Sequence, residues 1–298
     1  MEHCRLTIRL IVLFLTVLMI CCSPEQSAPK RLQVSTSILP QKYFLEKLGF
    51  GLIDVSVLVP PGTSPHTYEP RPSQMAQLAR AQVYFATGIE FEDAWLSRLT
   101  SDNPGLLVVH CDSGIPKIPV TGRIEREVLG LPPEKDGHEH IRLDPHVWLS
   151  PELVKIQVLT MAKALGSADT AHRRQYMENY RMFLKEIDTL QTNIRGILAN
   201  DSGKTFMVFH PSWGYFAKEF HLNQVAIEVE GKEPSVRELK AILNFARKEN
   251  INTIFIQPQF SDRSARIIAS TLTAKVAVAN DLAYDWGNNL LTFAKEVR

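Results

Sequence analysis

The stretch from Thr170 to Ala199 limits the possible folds of this chain more than any other segment. Tyr176, Tyr180, Phe183, Ile187, Leu190, Ile194 and Ile197 follow one another at spacings of four and three, which is one face of a single helix. At 1.5 Å per residue, roughly 30 residues span about 45 Å, longer than most helices inside one domain. On both sides of it the pattern changes to short apolar strands alternating with helices. That rhythm predicts two α/β lobes with mostly parallel sheets, linked by one long rigid backbone helix. The lobes are expected at 32–150 and 203–298, with a linking helical segment at 151–202.

Before the long helix, Leu32–Ser37, Ile53–Val59, Val83–Ala86 and Leu106–Val109 read as strands. Helices are expected from about Pro40 to Leu48, and from an N-cap at Ser73 to Ala81. Ser150 caps another helix, with Pro151 at its first position. The stretch Pro116–Arg142, which contains Pro132-Pro133, reads as an exposed loop. After the long helix, Thr205–Phe209, Val225–Glu228, Ile251–Ile256 and Lys275–Ala279 read as strands. Ser235-Val236-Arg237-Glu238 is a capping box. The helix it opens turns Leu239, Ile242, Leu243 and Ala246 inward. Ser261–Thr273 is expected to be helical.

Of the 298 residues, 45% are hydrophobic and 22% charged, and the formal net charge is +1. With no basic run interleaved with aromatics, nucleic acid is excluded as a partner, and the chain is expected to be a monomer. Arg5 and Arg9 precede an apolar run, Leu10–Ile20, that is short for a bilayer span but suits a signal peptide. Residues 1–22 are read as that signal and 23–31 as a tether. The Cys21-Cys22 pair resembles a bacterial lipoprotein cleavage site, with either cysteine as the acylated one. The chain is therefore expected outside a bacterial membrane, periplasmic or held there by a lipid anchor. Beyond this segment only Cys111 remains, so no internal disulfide can form. Cys111 reads as the end of a buried strand.

Three histidines sit in loop-forming contexts where strand or loop gives way to helix. They are His66 in Pro65-His66-Thr67-Tyr68, His146 in Asp144-Pro145-His146-Val147-Trp148, and His210 in Phe209-His210-Pro211-Ser212-Trp213. Imidazole is the commonest side-chain ligand for a borderline metal. Open α/β sheets place ligands at the carboxyl ends of their strands. One metal site between the lobes is the expectation, with His66 and His146 from the first lobe and His210 from the second. Asp281, after the last strand, is the first choice for a fourth donor, ahead of Asp285. Three imidazoles and one carboxylate suit Zn2+, with Mn2+ as the alternative. Glu69 reads equally as an acceptor behind His66 or as a solvated loop acid. Trp148, Trp213 and Tyr215 either shield the site or pack the core. His138-Glu139-His140 reads either as an auxiliary metal-gathering group or as a solvated loop. His110, His172 and His221 carry no pattern.

At these residues the chain resembles the metal-specific solute-binding proteins of bacterial ABC transporters, the TroA-like or ZnuA-type proteins. The stretches that carry the resemblance are Pro61–Ser73, Asp144–Leu149, Phe209–Phe216 and Glu230–Ser235. It implies two lobes on a backbone helix, with His66, His146, His210 and Asp281 around a metal. It also implies a membrane permease as partner and no chemical step. In such proteins a histidine at the third position goes with zinc more often than with manganese. Two departures stand out: the His-rich loop is reduced to Gly137-His138-Glu139-His140, and Pro65, not an acid, precedes the first histidine. The expected function is capture of a divalent transition metal, chiefly zinc, for uptake. The rival readings are a surface adhesin and an exported zinc hydrolase, and no His-Glu-x-x-His pattern supports the latter.

Overall fold

The computed structural model describes residues 31–130, 142–229, 231–260 and 263–298, and Leu32–Arg298 form one compact unit. Cys21, Cys22, His138, Glu139 and His140 lie outside the described residues.

Strands β1 (Leu32–Thr36), β2 (Ile53–Val57), β3 (Val83–Ala86) and β4 (Leu107–His110) form one sheet in the order β2-β1-β3-β4. Strands β5 (Thr205–Val208), β6 (Asn223–Ala226), β7 (Thr253–Ile256) and β8 (Lys275–Val278) form a second in the order β6-β5-β7-β8. All six strand pairings are parallel. The two sheets thus share one topology. In each, the strand order reverses beside the first strand and opens a crevice at the carboxyl ends.

Helices α1 (Leu39–Gly49), α2 (Pro72–Leu78) and α3 (Glu90–Asp102) serve the first sheet. Proline fits the first helical position, so α2 begins at Pro72 with Arg71 as its N-cap, and Ser73 lies inside it. Helix α5 (Pro151–Ala168) starts as expected, with Ser150 Oγ accepting the Leu153 amide. A short 3-10 turn then leads into α6 (Arg173–Ile197), whose 25 residues span about 37 Å.

Tyr176, Phe183, Ile187, Leu190 and Ile194 are buried along α6, and Tyr180 and Ile197 only partly so. α5, α1 and α10 (Trp286–Val297) all pack on α6. One apolar core therefore runs from Val34 and Phe44, past Ile187, to Phe206 and Phe293. A separate cluster that includes Met207, Ile242, Ile254 and Ile268 lies within the second lobe. The lobes are welded along α6 and share its buried face.

The stretch Pro116–Arg142 is not an uninterrupted exposed loop. It contains α4 (Arg123–Leu129), which packs on β6 and on α8 (Val236–Lys248) of the second lobe. Ile124, Val128 and Leu129 join the second-lobe cluster. Seven residues make only two turns, too few for periodicity to show. Glu125 of this helix is 2% exposed, and burial raises its carboxyl from 4.5 to about 8. Between these values the folded chain keeps a proton that the unfolded chain releases. Stability should then fall as pH rises through this window. Glu125→Gln should flatten the decline in denaturation midpoint of the metal-free protein between about pH 5 and pH 8. An unchanged slope would place the pH response elsewhere.

Residues flanking α4 form a narrow ribbon. The Val120 amide donates to the Arg142 carbonyl (2.9 Å) and the Asp144 amide to the Ile118 carbonyl (2.8 Å). Tyr215, on α7 (Gly214–Glu219), clamps it from the second lobe. Its hydroxyl accepts the Ile118 amide (3.1 Å) and donates to the Asp144 carbonyl (2.8 Å). The segment carrying His146 is therefore stitched to the second lobe, although its sequence position assigned it to the first.

Candidate metal centre

Each histidine arrives by a different local route. His66 lies in the loop between β2 and α2, where its amide donates to Ser64 Oγ (3.3 Å). His146 ends the ribbon, just before the 3-10 turn Val147–Leu149. His210 follows β5, and Gln257 holds its backbone at both ends. The His210 amide donates to Gln257 Oε1 (3.1 Å), and Gln257 Nε2 donates to the His210 carbonyl (2.7 Å). The three loops converge. One ring nitrogen from each histidine lies within 4.8 Å of the other two. Ring centroids stand 4.9 Å apart for His66 and His210, 5.3 Å for His146 and His210, and 6.1 Å for His66 and His146.

The opposite nitrogen of each ring has a carboxylate partner. His146 Nδ1 is 2.7 Å from Asp144 Oδ1, and His210 Nδ1 is 3.1 Å from Glu228 Oε2. His66 Nδ1 pairs with Glu90 at the start of α3. A carboxylate behind an imidazole keeps the proton on Nδ1, fixes the ring and leaves the Nε2 lone pair free to face a cation. His66 Nε2 and His210 Nε2 are 3.2 Å apart. Two nitrogens each 2.0–2.1 Å from a tetrahedral ion stand about 3.3 Å apart. Two lone pairs at that distance repel unless a cation or a proton lies between them.

Glu90 is positioned by its own helix. Glu92, two residues later, accepts the amides of Thr87 (2.8 Å), Gly88 (2.6 Å) and Ile89 (3.3 Å) and pins the start of α3. Glu90 also bonds Arg142 (2.7 Å), and its carboxyl falls to about 2, chiefly through the His66 hydrogen bond. Glu69 is exposed, and Glu90, not Glu69, is the carboxylate behind His66. Burial, then the neighbouring His210, lowers His146 well below the ordinary histidine value, so its ring is neutral near pH 7. Burial raises the Asp144 carboxyl, and the His146 amide it accepts opposes that rise.

Asp281, in the loop after β8, lines the same small cavity as His66 and His146. It is 3% exposed, and its Oδ1 has no hydrogen-bond partner among the described residues. Its main-chain carbonyl accepts Trp148 Nε1 (2.7 Å), and the Trp148 carbonyl accepts Trp286 Nε1 (2.7 Å). Trp148 therefore locks the His146 segment to the Asp281 loop. Phe260 stacks on His210, with centroids 4.4 Å apart and planes 20° apart. His146 and His210 are buried, and the His66 side chain, 21% exposed, forms the open edge. Asp285 is the N-cap of α10, and its Oδ2 accepts from Asn288 (2.8 Å). The donor set of three nitrogens and one orphaned buried carboxylate oxygen fits a four-coordinate cation.

Among the described residues no helix is long and apolar enough to cross a membrane. The family model for ZnuA, zinc-uptake complex component A, periplasmic, matches residues 34–293. The high-affinity zinc uptake system protein ZnuA of Bacillus subtilis (strain 168) is 28% identical over 256 residues, covering 85% of this chain and 79% of that protein. A crystal structure of ZnuA aligns with a TM-score of 0.81 at 40% identity, over 90% of this chain and 98% of that one. A zinc-bound deletion mutant of ZnuA gives the same score and identity, over 90% and 97%. These relatives are binding proteins with no catalytic step. By the extent of the match and the shared architecture, the chain belongs to the ZnuA family of metal-binding, ABC-transporter solute-binding proteins.

Proposed function

We propose that this chain captures one Zn2+ ion outside the cytoplasmic membrane and delivers it to the permease of an ABC transporter. His66, His146, His210 and Asp281 are the ligands in this reading. The observation that carries it is the set of three inward-facing imidazoles, each backed by a carboxylate. Four protein donors close the shell, which suits an ion in transit and leaves no position for an activated water. Zinc is favoured over manganese on two grounds. A nitrogen-rich set binds zinc more tightly than manganese in the usual affinity order. The small cavity lined by His66, His146 and Asp281 has Pro65, Ile89, Phe260 and Leu282 as apolar walls, which suits an ion held by protein donors rather than by a shell of water. Tethering through Cys21 or Cys22 would keep the protein beside its permease. The relative described as a high-affinity zinc uptake protein supports the same cargo.

The test is a titration of metal-stripped mature protein against a chelating dye. One zinc per chain is expected, with at least about tenfold preference over manganese. Tighter manganese binding would reassign the cargo, and no binding would remove the proposal.

A further inference from the structure

Gln259, after β7, lines the same small cavity as His66, His146 and Asp281. The orientation of its side-chain amide is settled by its neighbours. The Leu282 amide donates to Asn280 Oδ1 (3.0 Å), so that Asn280 atom is an oxygen. The Gln259 atom 3.0 Å from this oxygen must then be its nitrogen. Asn280 is itself held in place, with its carbonyl accepting Asn289 Nδ2 (2.7 Å). Gln259 Oε1 is left at the other end of the amide, buried and without a hydrogen-bond partner among the described residues. Such an atom is unfavourable unless something in the cavity satisfies it. The apolar walls, Pro65, Ile89, Phe260 and Leu282, offer no donor, and the space holds about one small sphere.

Resting on the metal-capture reading above, we infer that Gln259 Oε1 is a further oxygen donor to the bound cation. It extends the set from three nitrogens and one oxygen to three nitrogens and two oxygens. Zinc is satisfied by four ligands and gains little from a fifth. Cobalt and manganese accept higher coordination, and manganese favours oxygen donors. Gln259 therefore sets how well ions other than zinc compete for the site.

The experiment loads metal-stripped full-length mature protein with Co2+ and records its visible absorption and X-ray absorption. Gln259→Leu is recorded beside the wild type. Five donors and a weak five-coordinate absorption band are expected in the wild type. Gln259→Leu should give four donors and a stronger tetrahedral band. In parallel, Gln259→Leu should weaken Mn2+ binding at least about tenfold, and by a larger factor than it weakens zinc binding. Four donors in wild-type cobalt protein, or superimposable wild-type and Gln259→Leu spectra, would overturn the inference and leave the metal site standing. Failure of the wild type to take up either ion would instead remove the metal-capture reading itself.

Discussion

His210→Ala is expected to weaken zinc binding by at least about 100-fold while leaving the far-ultraviolet circular dichroism unchanged. His210 is 4% exposed, and among the described residues its ring nitrogen is grouped with those of His66 and His146 alone. Removing it deletes one of three nitrogens and leaves Glu228 buried beside a gap. Changing the partner behind a metal-binding histidine typically costs 10–100-fold in affinity. Glu228→Gln should fall in that range, and loss of the ligand itself should exceed it. A factor of 100 corresponds to about 2.7 kcal/mol. Dye competition against stripped protein measures both variants on one scale. Wild-type zinc affinity in His210→Ala would show that the ion binds elsewhere.

Trp148→Ala should lower the stability of the metal-free protein by about 3–5 kcal/mol, the usual effect of truncating a buried aromatic. Trp148 is 1% exposed, and its indole lies 5.1 Å from the His146 ring, centroid to centroid. The substitution opens a void where the two lobes meet. It also removes the hydrogen bond that fixes the Asp281 main chain. Zinc affinity should fall together with stability, because Asp281 would then pay in order what the bare loop has gained in freedom. Urea denaturation of stripped protein, followed by zinc titration of the folded variant, separates the two effects. A loss below about 1 kcal/mol would show that the lobes are joined without this indole.

The strands were legible as short apolar runs bounded by turn residues, and the backbone helix because its apolar residues keep one period over several turns. Helices α3, α7 and α10 were not. α7 has six residues, and α3 opens with Glu-Phe-Glu-Asp and buries only Phe91, Glu92 and Leu99. The three histidines could be read from their loops, because turn residues and strand ends are local signals. Their carboxylate partners differ in this respect. Glu90 is 24 residues from His66 and Glu228 is 18 from His210, so folding alone makes those pairs. Asp144 stands two residues before His146 and accepts both its amide (2.8 Å) and its ring nitrogen (2.7 Å). That Asp-x-His spacing is a short-range signal that could have identified it. Gln259 had no local signal, since the orientation of its amide is set by Asn280, 21 residues away.

Cys111 is fully buried at the end of the first sheet, and burial raises its thiol well above the ordinary cysteine value. It is also the single cysteine after residue 22. Residues 31–298 therefore present, among those described, an unreactive background to maleimide dyes or spin labels. One cysteine placed on each lobe gives a two-point molecular ruler without removing the native residue. Readings with and without zinc would report how far the ends of α6 allow the lobes to tilt.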